Sequence, residues 1–215
     1  MKLTIITDNT VHSSGLKSEW GFACLVEAEG APKILFDTGA SASVLLYNME
    51  KLGIDPKSIG CVLVSHDHWD HTGGLDGFLE LNSDVKLYLP GDLPSEPVAN
   101  KVIKVKEAAE IYGGVFSTGL LQNIEQSLLV KVDKGVVVIV GCSHPGVRNT
   151  LASASDIGKP IALIGGLHGF RELDLIEDID LVCATHCTQY KQRIKKLYPE
   201  KFVEGGAGKI IRVST

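Results

Sequence analysis

The chain contains an apolar segment that runs directly into a histidine-rich one. The apolar part is Cys61-Val62-Leu63-Val64-Ser65, and it continues as His66-Asp67-His68-Trp69-Asp70-His71-Thr72-Gly73-Gly74. The first part has the composition of a short buried strand. A loop leaving such a strand can turn His66 and His68 to one side while Asp70 and His71 reach a second position. The spacing therefore indicates two adjacent metal positions, because zinc, manganese and iron accept imidazole and carboxylate ligands.

Three further histidines also follow strand-like apolar segments. His144 follows residues 136–143, His168 follows residues 161–167 and His186 follows residues 181–185, so that of the seven histidines only His12 lies elsewhere. Strand ends gather in space even when they are far apart in the sequence, and loops there carry polar groups on a rigid scaffold. We therefore expect these histidines to join the 66–71 segment in one site.

The rest of the sequence predicts a layered fold of strands and helices. Period-two and β-branched patterns predict strands at residues 2–7, 21–28, 33–36, 61–65, 85–89, 127–132, 136–140, 160–164 and 181–185. Helical spacing predicts helices at residues 41–52, 145–155 and 189–197. Residues 93–100 are predicted to be an irregular surface loop, and residues 107–122 short strands and turns. This order of elements fits an α/β or α+β fold.

Length and composition bound the class of protein. A chain of 215 residues with 44% apolar and 22% charged residues is typical of a globular protein, and we expect one domain over residues 1–215. No apolar run approaches the roughly 18 residues that cross a bilayer, so we expect no membrane partner. The N-terminal segment lacks the pattern of a signal peptide. Five cysteines without a C-x-x-C spacing argue against a disulfide framework. These features predict a cytoplasmic protein.

The charge of the chain argues against a nucleic-acid partner, and a small-molecule substrate is expected. A formal net charge of −5 gives no general attraction to phosphate backbones, so no nucleic-acid partner is expected. The basic cluster near residue 195 is interpreted as a solvated helix face. The sequence does not indicate an oligomeric state.

The segment from His66 to His71 resembles the HxHxDH motif of the metallo-β-lactamase superfamily. The resemblance extends from Leu35-Phe36-Asp37-Thr38-Gly39 to His186, and it implies a four-layer αββα sandwich with metals at one edge of the two sheets. It implies one metal on His66, His68 and His144 and a second metal on Asp70, His71 and His186. Asp37 is implied to lie behind the metal ligands, without binding a metal itself. One or two divalent ions are implied; zinc is expected, with manganese or iron as alternatives.

A narrower resemblance joins further segments of the chain. Asp8-Asn9, Cys142-Ser143-His144, Gly165-Gly166-Leu167-His168 and Ala184-Thr185-His186-Cys187-Thr188 are similar to superfamily II metal-dependent hydrolases. Some archaeal relatives of that group are linked to a dihydropterin-joining synthase of methanopterin biosynthesis. The resemblance thus implies a hydrolase acting through metal-activated water on an ester, thioester, lactone or phosphodiester. The alternatives are a pterin-related transferase or synthase, and a mononuclear iron oxygenase.

Two residues are assigned catalytic roles. Asp70 is expected to orient the attacking water while it binds the second metal. His168 occupies the position where hydrolytic members of the superfamily usually place a bridging aspartate, but a neutral imidazole has one free ring lone pair. We expect His168 to contact substrate or donate a proton, with ligation of one metal as the alternative. The alternative carboxylates, Asp178 and Asp180, are expected to be solvated turn residues.

Other interpretations of the same residues explain less of the sequence. The triplet Asp37-Thr38-Gly39 is also a signature of aspartic proteases, but such enzymes need two carboxylates, and one triplet leaves the histidines unexplained. Cys142 and Cys187 could act as thiolates, yet a role as small buried core residues is favoured. A non-catalytic binding module would bury several imidazoles beside a carboxylate without compensation.

Overall fold

The computed structural model describes residues 1–91 and 97–214. These residues form thirteen strands, which are β1 (Lys2–Thr7), β2 (Ala23–Glu27), β3 (Lys33–Phe36), β4 (Ile59–Leu63), β5 (Lys86–Leu89), β6 (Lys101–Lys104), β7 (Ala109–Tyr112), β8 (Val115–Ser117), β9 (Leu128–Val132), β10 (Gly135–Val140), β11 (Pro160–Gly166), β12 (Leu181–Thr185) and β13 (Ile210–Arg212). They also form five α-helices, which are α1 (Ala42–Lys51), α2 (Trp69–Thr72), α3 (Leu75–Leu81), α4 (Val147–Ser155) and α5 (Lys191–Leu197).

The strands form two mixed sheets. The first sheet has the order β13-β1-β2-β3-β4-β5-β6, and the second has the order β12-β11-β10-β9-β8-β7. Within the first sheet, β3 to β6 are parallel, and within the second, β10 to β12 are parallel. Parallel neighbours bring their carboxyl ends to the same edge, which is where α/β folds place their sites.

A continuous core lies between the two sheets, and helices cover both outer faces. Alternating residues of β4 show why: Cys61 and Leu63 pack between the sheets, whereas Val62 packs outward against α1 and α3. In β10, Val137 packs between the sheets and Val138 packs toward α4 and α5. Both faces are buried, so these strands are apolar throughout. The predicted αββα sandwich is confirmed.

Most predicted elements are present with shifted ends. Helix α1 begins after Ser41, whose side chain accepts a hydrogen bond from the Val44 N–H, and Gly53 follows its end with φ +66°. Helix α4 begins at Val147, later than predicted, because Gly146 precedes it with φ +89° and Pro145 lies outside the helix. Strand β4 begins at Ile59 and ends at Leu63, two residues earlier than predicted.

Four elements were not predicted from the sequence: α2, α3, β6 and β13. Helix α3 buries Leu75, Phe78 and Leu79 at helical spacing, but two glycines precede it and obscure its start. The predicted short strands within residues 107–122 are β7 and β8. In the predicted loop 93–100, residues 93–96 lie outside the described residues, and residues 97–100 are irregular. Among the helices of the described chain, none has the length and apolar content required to cross a bilayer.

Candidate metal centre

The predicted site residues meet at one edge of both sheets. Each follows the carboxyl end of a strand: Asp37 follows β3, the 66–71 segment follows β4, His144 follows β10, His168 follows β11 and His186 follows β12. Several backbones there are left-handed, with φ of 55° at Asp37, 41° at His168 and 48° at His186. Non-glycine residues adopt this conformation at an energetic cost, and such positions cluster at functional sites.

The first triad consists of His66, His68 and His144. Nε2 of His66 lies 3.0 Å from Nδ1 of His68, and the His144 ring centroid is 4.8 Å from that of His66 and 4.9 Å from that of His68. Two nitrogens bound to one tetrahedral zinc are separated by about 3.3 Å, given zinc–nitrogen distances near 2.0–2.1 Å. The three ligand atoms therefore lie close enough together to bind one cation.

The second triad consists of Asp70, His71 and His186. Oδ2 of Asp70 lies 3.3 Å from Nε2 of His186 and 4.0 Å from Nε2 of His71. The His66 and His71 rings are 4.2 Å apart between centroids, so the two triads are adjacent. The structure thus brings together all six residues for which a ligand role was predicted.

Hydrogen bonds behind the rings orient three of the histidines. Nδ1 of His71 donates to Oδ2 of Asp37 over 2.7 Å, and Nδ1 of His186 lies 3.0 Å from Oδ1 of Asn9. The Ser65 hydroxyl donates to Asp37, so it accepts from Nδ1 of His66, 2.9 Å away. Each ring then presents an unprotonated Nε2 to the site, which is the arrangement that outer partners impose on metal ligands.

Two ring nitrogens of the triads are buried without a hydrogen bond in the described part of the chain. Among the described residues, Nε2 of His144 and Nε2 of His186 have no hydrogen bond, although burial of such a group is costly. Burial and the neighbouring imidazoles lower the pKa of His66, and burial with the adjacent His68 lowers the pKa of His144 to about 4. Neutral imidazoles with free lone pairs fit a divalent cation.

The second triad has the opposite electrostatic character. Burial acts to lower the pKa of His71, but the Asp37 carboxylate outweighs it, so that the pKa is raised. Burial acts to raise the pKa of Asp70, but the contact with His186 outweighs it and lowers the pKa to about 2. Asp70 is therefore ionised at neutral pH and provides the negative charge that the first triad lacks.

Glu125 holds the loop that carries His144, and sequence reasoning missed it. Its Oε1 accepts from the backbone N–H groups of Gly141, Cys142 and Ser143, and its Oε2 accepts from that of His144. Gly141 is required there because a Cβ would lie 2.2 Å from Oγ of Ser65. In the sequence, Glu125 stands in a polar stretch between two strands and nothing marks it as buried.

Asp8 has the same role at the second triad. Its Oδ1 accepts from the Thr185 hydroxyl and from the backbone N–H of His186, which fixes the loop after β12. Asp8 is fully buried at the end of β1. The resemblance included Asp8-Asn9, but no pattern in the sequence assigned either residue a contact.

Trp20 is a further residue that the sequence analysis did not single out. Its indole Nε1–H donates to Oδ2 of Asp70 over 2.9 Å, and its ring centroid is 5.4 Å from that of His186. The residue is 55% exposed. A flat apolar surface therefore lies beside the second triad at the rim of the site.

The structure corrects the interpretation of Cys142 and Cys187 as core residues. Cys142 is buried, but its sulfur faces the site, 3.2 Å from Nε2 of His71 and 3.2 Å from the sulfur of Cys187. Glu125 binds the N–H groups of the residues after β10 and fixes the course of the loop that carries Cys142. In the sequence, Cys142 stands at the end of an apolar strand, and that position favours a small side chain buried in the core.

His168 lies beside the first triad, at the rim. Its ring centroid is 5.1 Å from that of His144, and the residue is exposed. Among the described residues, His168 is in none of the groups whose ligand atoms converge. It lines a cavity of about 340 Å³ together with His144, Phe170 and Arg171. Asp178 and Asp180 are exposed turn residues, as predicted.

Comparison with known proteins agrees with this fold and site. Residues 21–104, which include the 66–71 segment, match the model of the metallo-beta-lactamase superfamily. The chain therefore has a metallo-β-lactamase fold, and its residues 21–104 are similar in sequence to that superfamily. The crystal structure of Tm1679, described as a metal-dependent hydrolase of the beta-lactamase superfamily, superposes with a TM-score of 0.79, covers both chains completely and is 26% identical.

Other similar proteins extend the comparison. A 7,8-dihydropterin-6-methyl-4-(beta-D-ribofuranosyl)-aminobenzene-5'-phosphate synthase from Methanocaldococcus jannaschii is 28% identical, covering 97% of this chain and 95% of the relative. That alignment runs over 281 positions, so the relative has inserted segments that this 215-residue chain lacks. YhfI from Bacillus subtilis superposes with a TM-score of 0.67 over 98% of each chain, but at 12% identity it supports the fold alone.

Proposed function

We propose that the chain is a metal-dependent hydrolase of a small molecule with an ester, thioester, lactone or phosphodiester bond. The observation that carries the proposal is the convergence of the ligand atoms of two triads, in which the buried Nε2 atoms of His144 and His186 have no hydrogen bond among the described residues. The similarity to Tm1679 over the full chain supports a hydrolytic activity. A net charge of −5 supports a small-molecule substrate over nucleic acid.

Six side chains would hold the cations. His66, His68 and His144 would bind one, and Asp70, His71 and His186 would bind the second, with Asp37 fixing the tautomer of His71. Zinc is the proposed metal, with manganese or iron as alternatives. Divalent cations in such a site supply a water of lowered pKa and stabilise negative charge on the substrate.

The other roles belong to the side chains of the chain itself. Asp70 is ionised, and Trp20 holds one of its oxygens, so the carboxylate is available to orient an attacking water. His168 is exposed beside the first triad and is placed to contact the substrate or to donate a proton to the leaving group. The cavity next to His168 has room for part of a small substrate.

The test combines metal analysis with an assay panel. The purified protein should contain roughly one to two equivalents of divalent metal, as expected for two complete triads. A panel of esters, thioesters, lactones and phosphodiesters should include one that is turned over by wild type and not by His66→Ala. His12→Ala is the matched control, since His12 is exposed and outside the site. A folded protein that remains metal-free after incubation with zinc, manganese and iron(II) contradicts the proposal.

A pterin-related synthase is the second candidate. It is supported by the 28% identity to the Methanocaldococcus jannaschii synthase over nearly the whole chain, and by the exposed indole of Trp20, on which a flat heterocycle can stack. Titration with a reduced pterin should quench Trp20 fluorescence if this candidate is right. No binding by wild type, together with turnover in the hydrolase panel, favours hydrolysis. Iron retention with oxygen consumption would favour the oxygenase alternative.

A further inference from the structure

We propose that the sulfur of Cys142 is a metal ligand shared between the two triads. The proposal rests on the metal centre of the proposed function and adds a thiolate to its ligands. It concerns a residue for which the histidine pattern gave no role.

The position of the sulfur carries the argument. Among the described residues, four groups of three side chains have converging ligand atoms, and one of them takes a member from each triad: His66, His71 and Cys142. Cys142 also converges with His186 and Cys187. A sulfur that converges with members of both triads lies in the position that a ligand common to two cations would take.

The distances are those of ligands on one metal. The Cys142 sulfur lies 3.2 Å from Nε2 of His71. A sulfur and a nitrogen on the same tetrahedral zinc are separated by about 3.5 Å, from bond lengths near 2.3 and 2.0–2.1 Å. Without a cation this contact is a hydrogen bond, and a cation takes the place of its proton.

The other candidates for a shared ligand are less well placed. Asp70 directs Oδ2 toward His186 and the indole of Trp20, within the second triad. His168 is exposed, and its ring lies beside His144 of the first triad. A neutral imidazole also has one lone pair, whereas a thiolate has several and can bind two cations.

The surrounding chain fixes this sulfur in place. Glu125 binds the Cys142 N–H, and the following residue, Ser143, has a left-handed backbone with φ 60°. The sulfur of Cys187 is 3.2 Å away and donates a hydrogen bond to that of Cys142. Among the described residues the two cysteines differ in what they converge with: the Cys142 sulfur converges with members of both triads, whereas that of Cys187 converges with His186 of the second triad.

Thiolate ligation has a consequence for metal choice. Soft sulfur ligands favour zinc and other late transition metals over magnesium, calcium and manganese. The site should therefore retain zinc in the presence of excess manganese, even though its other ligands are imidazole and carboxylate.

The test is the absorption spectrum of the cobalt(II)-loaded protein, prepared under reducing conditions from metal-depleted enzyme. Wild type should show a sulfur-to-cobalt charge-transfer band in the near ultraviolet as cobalt is titrated. Cys142→Ser should lose the band and bind the weaker equivalent at least about tenfold less tightly, a loss in the range seen when supporting groups of metal sites are removed. Cys187→Ser, the matched control, should retain the band.

Each outcome supports or overturns the proposal. A wild-type protein that binds cobalt without the charge-transfer band overturns it and leaves the proposed function intact. A band that survives in Cys142→Ser but is lost in Cys187→Ser overturns it as well, and makes Cys187 the ligand. A protein that binds no cobalt contradicts the metal centre itself. If Cys142→Ser does not fold, the wild-type spectrum still shows whether a thiolate binds the metal, and Cys187→Ser shows whether that thiolate is Cys187.

Discussion

The indole N–H of Trp20 donates to Oδ2 of Asp70 over 2.9 Å, so a half-exposed residue at the rim holds the one carboxylate among the predicted ligands. The bond stabilises a charged group, and such bonds contribute about 1.5–3 kcal/mol. It also fixes which oxygen of Asp70 faces the second triad.

Replacing Trp20 should therefore weaken the second triad. We expect Trp20→Phe to lower affinity for the weaker metal equivalent by about tenfold, because outer partners of metal ligands contribute about 10–100-fold. Competition with a chromophoric chelator measures this. Trp69→Phe, which removes an exposed indole from the neighbouring segment, should bind both equivalents like wild type. Equal effects of both substitutions would show that the hydrogen bond to Asp70 is irrelevant.

Glu125→Gln should destabilise the loop that carries His144. An amide cannot accept hydrogen bonds with both of its terminal atoms, so the NH₂ group must face a backbone N–H donor. An unsatisfied buried donor costs about 1–3 kcal/mol. Thermal unfolding of the metal-free protein should show a lowered Tm. Glu110→Gln is the matched control, since Glu110 also accepts from a backbone N–H but lies on an exposed hairpin.

Asp37→Asn should disturb the orientation of the His71 ring while the ring itself remains. Asp37 now binds three donors, the N–H of Ser65 through Oδ1 and the Ser65 hydroxyl and Nδ1 of His71 through Oδ2. In Asn the NH₂ group replaces one of these oxygens and cannot accept, so at least one donor loses its acceptor. We expect metal affinity to fall about 10–100-fold while the six proposed ligands remain. Isothermal titration with zinc measures the change. Asp55→Asn, at an exposed turn, should leave the affinity for zinc unaltered. An Asp37→Asn variant that binds zinc with the isotherm of the wild type would show that Asp37 does not support the metal ligands.

His168→Ala should keep both metal equivalents and lose activity. The ring lies at the rim and outside the converging ligand groups of the described residues, so its loss leaves the triads intact. General acid groups contribute about 10²–10⁴-fold to rate. Elemental analysis and turnover of the substrate found in the panel are compared with His12→Ala. Loss of one metal equivalent would make His168 a ligand, and wild-type turnover would exclude it from the chemistry.

The sequence predicted the fold well where its patterns are local. The apolar run of β10 and the strand-to-histidine junction after β4 indicated the layers and the position of the site. Some predicted strands end one or two residues later than the observed ones, because the apolar run continues past the last residue of the strand, as it does at Val64 after β4. Helix α3 was missed because Gly73 and Gly74 precede it, and those glycines are required by close approach to Ala40 and Thr38.

The support of the site was hidden from sequence analysis for a different reason. Glu125, Asp8 and Trp20 act through contacts with residues far along the chain, such as the 178 positions that separate Asp8 from His186. No local period or spacing encodes such a contact. The proposed histidine ligands were predictable because each of them follows or lies next to the end of an apolar segment, whereas the course of the loop that carries Cys142 depends on Glu125.

Both triads draw on both sheets, since His66, His68, Asp70 and His71 follow β4 of the first sheet while His144 and His186 follow β10 and β12 of the second. The order of synthesis therefore matters. A nascent chain that has been made as far as residue 100 carries four of the six side chains, yet neither set of three is complete. His144 completes the first set and His186 the second, so full-affinity metal uptake by the proposed ligands must wait until residue 186 has been made.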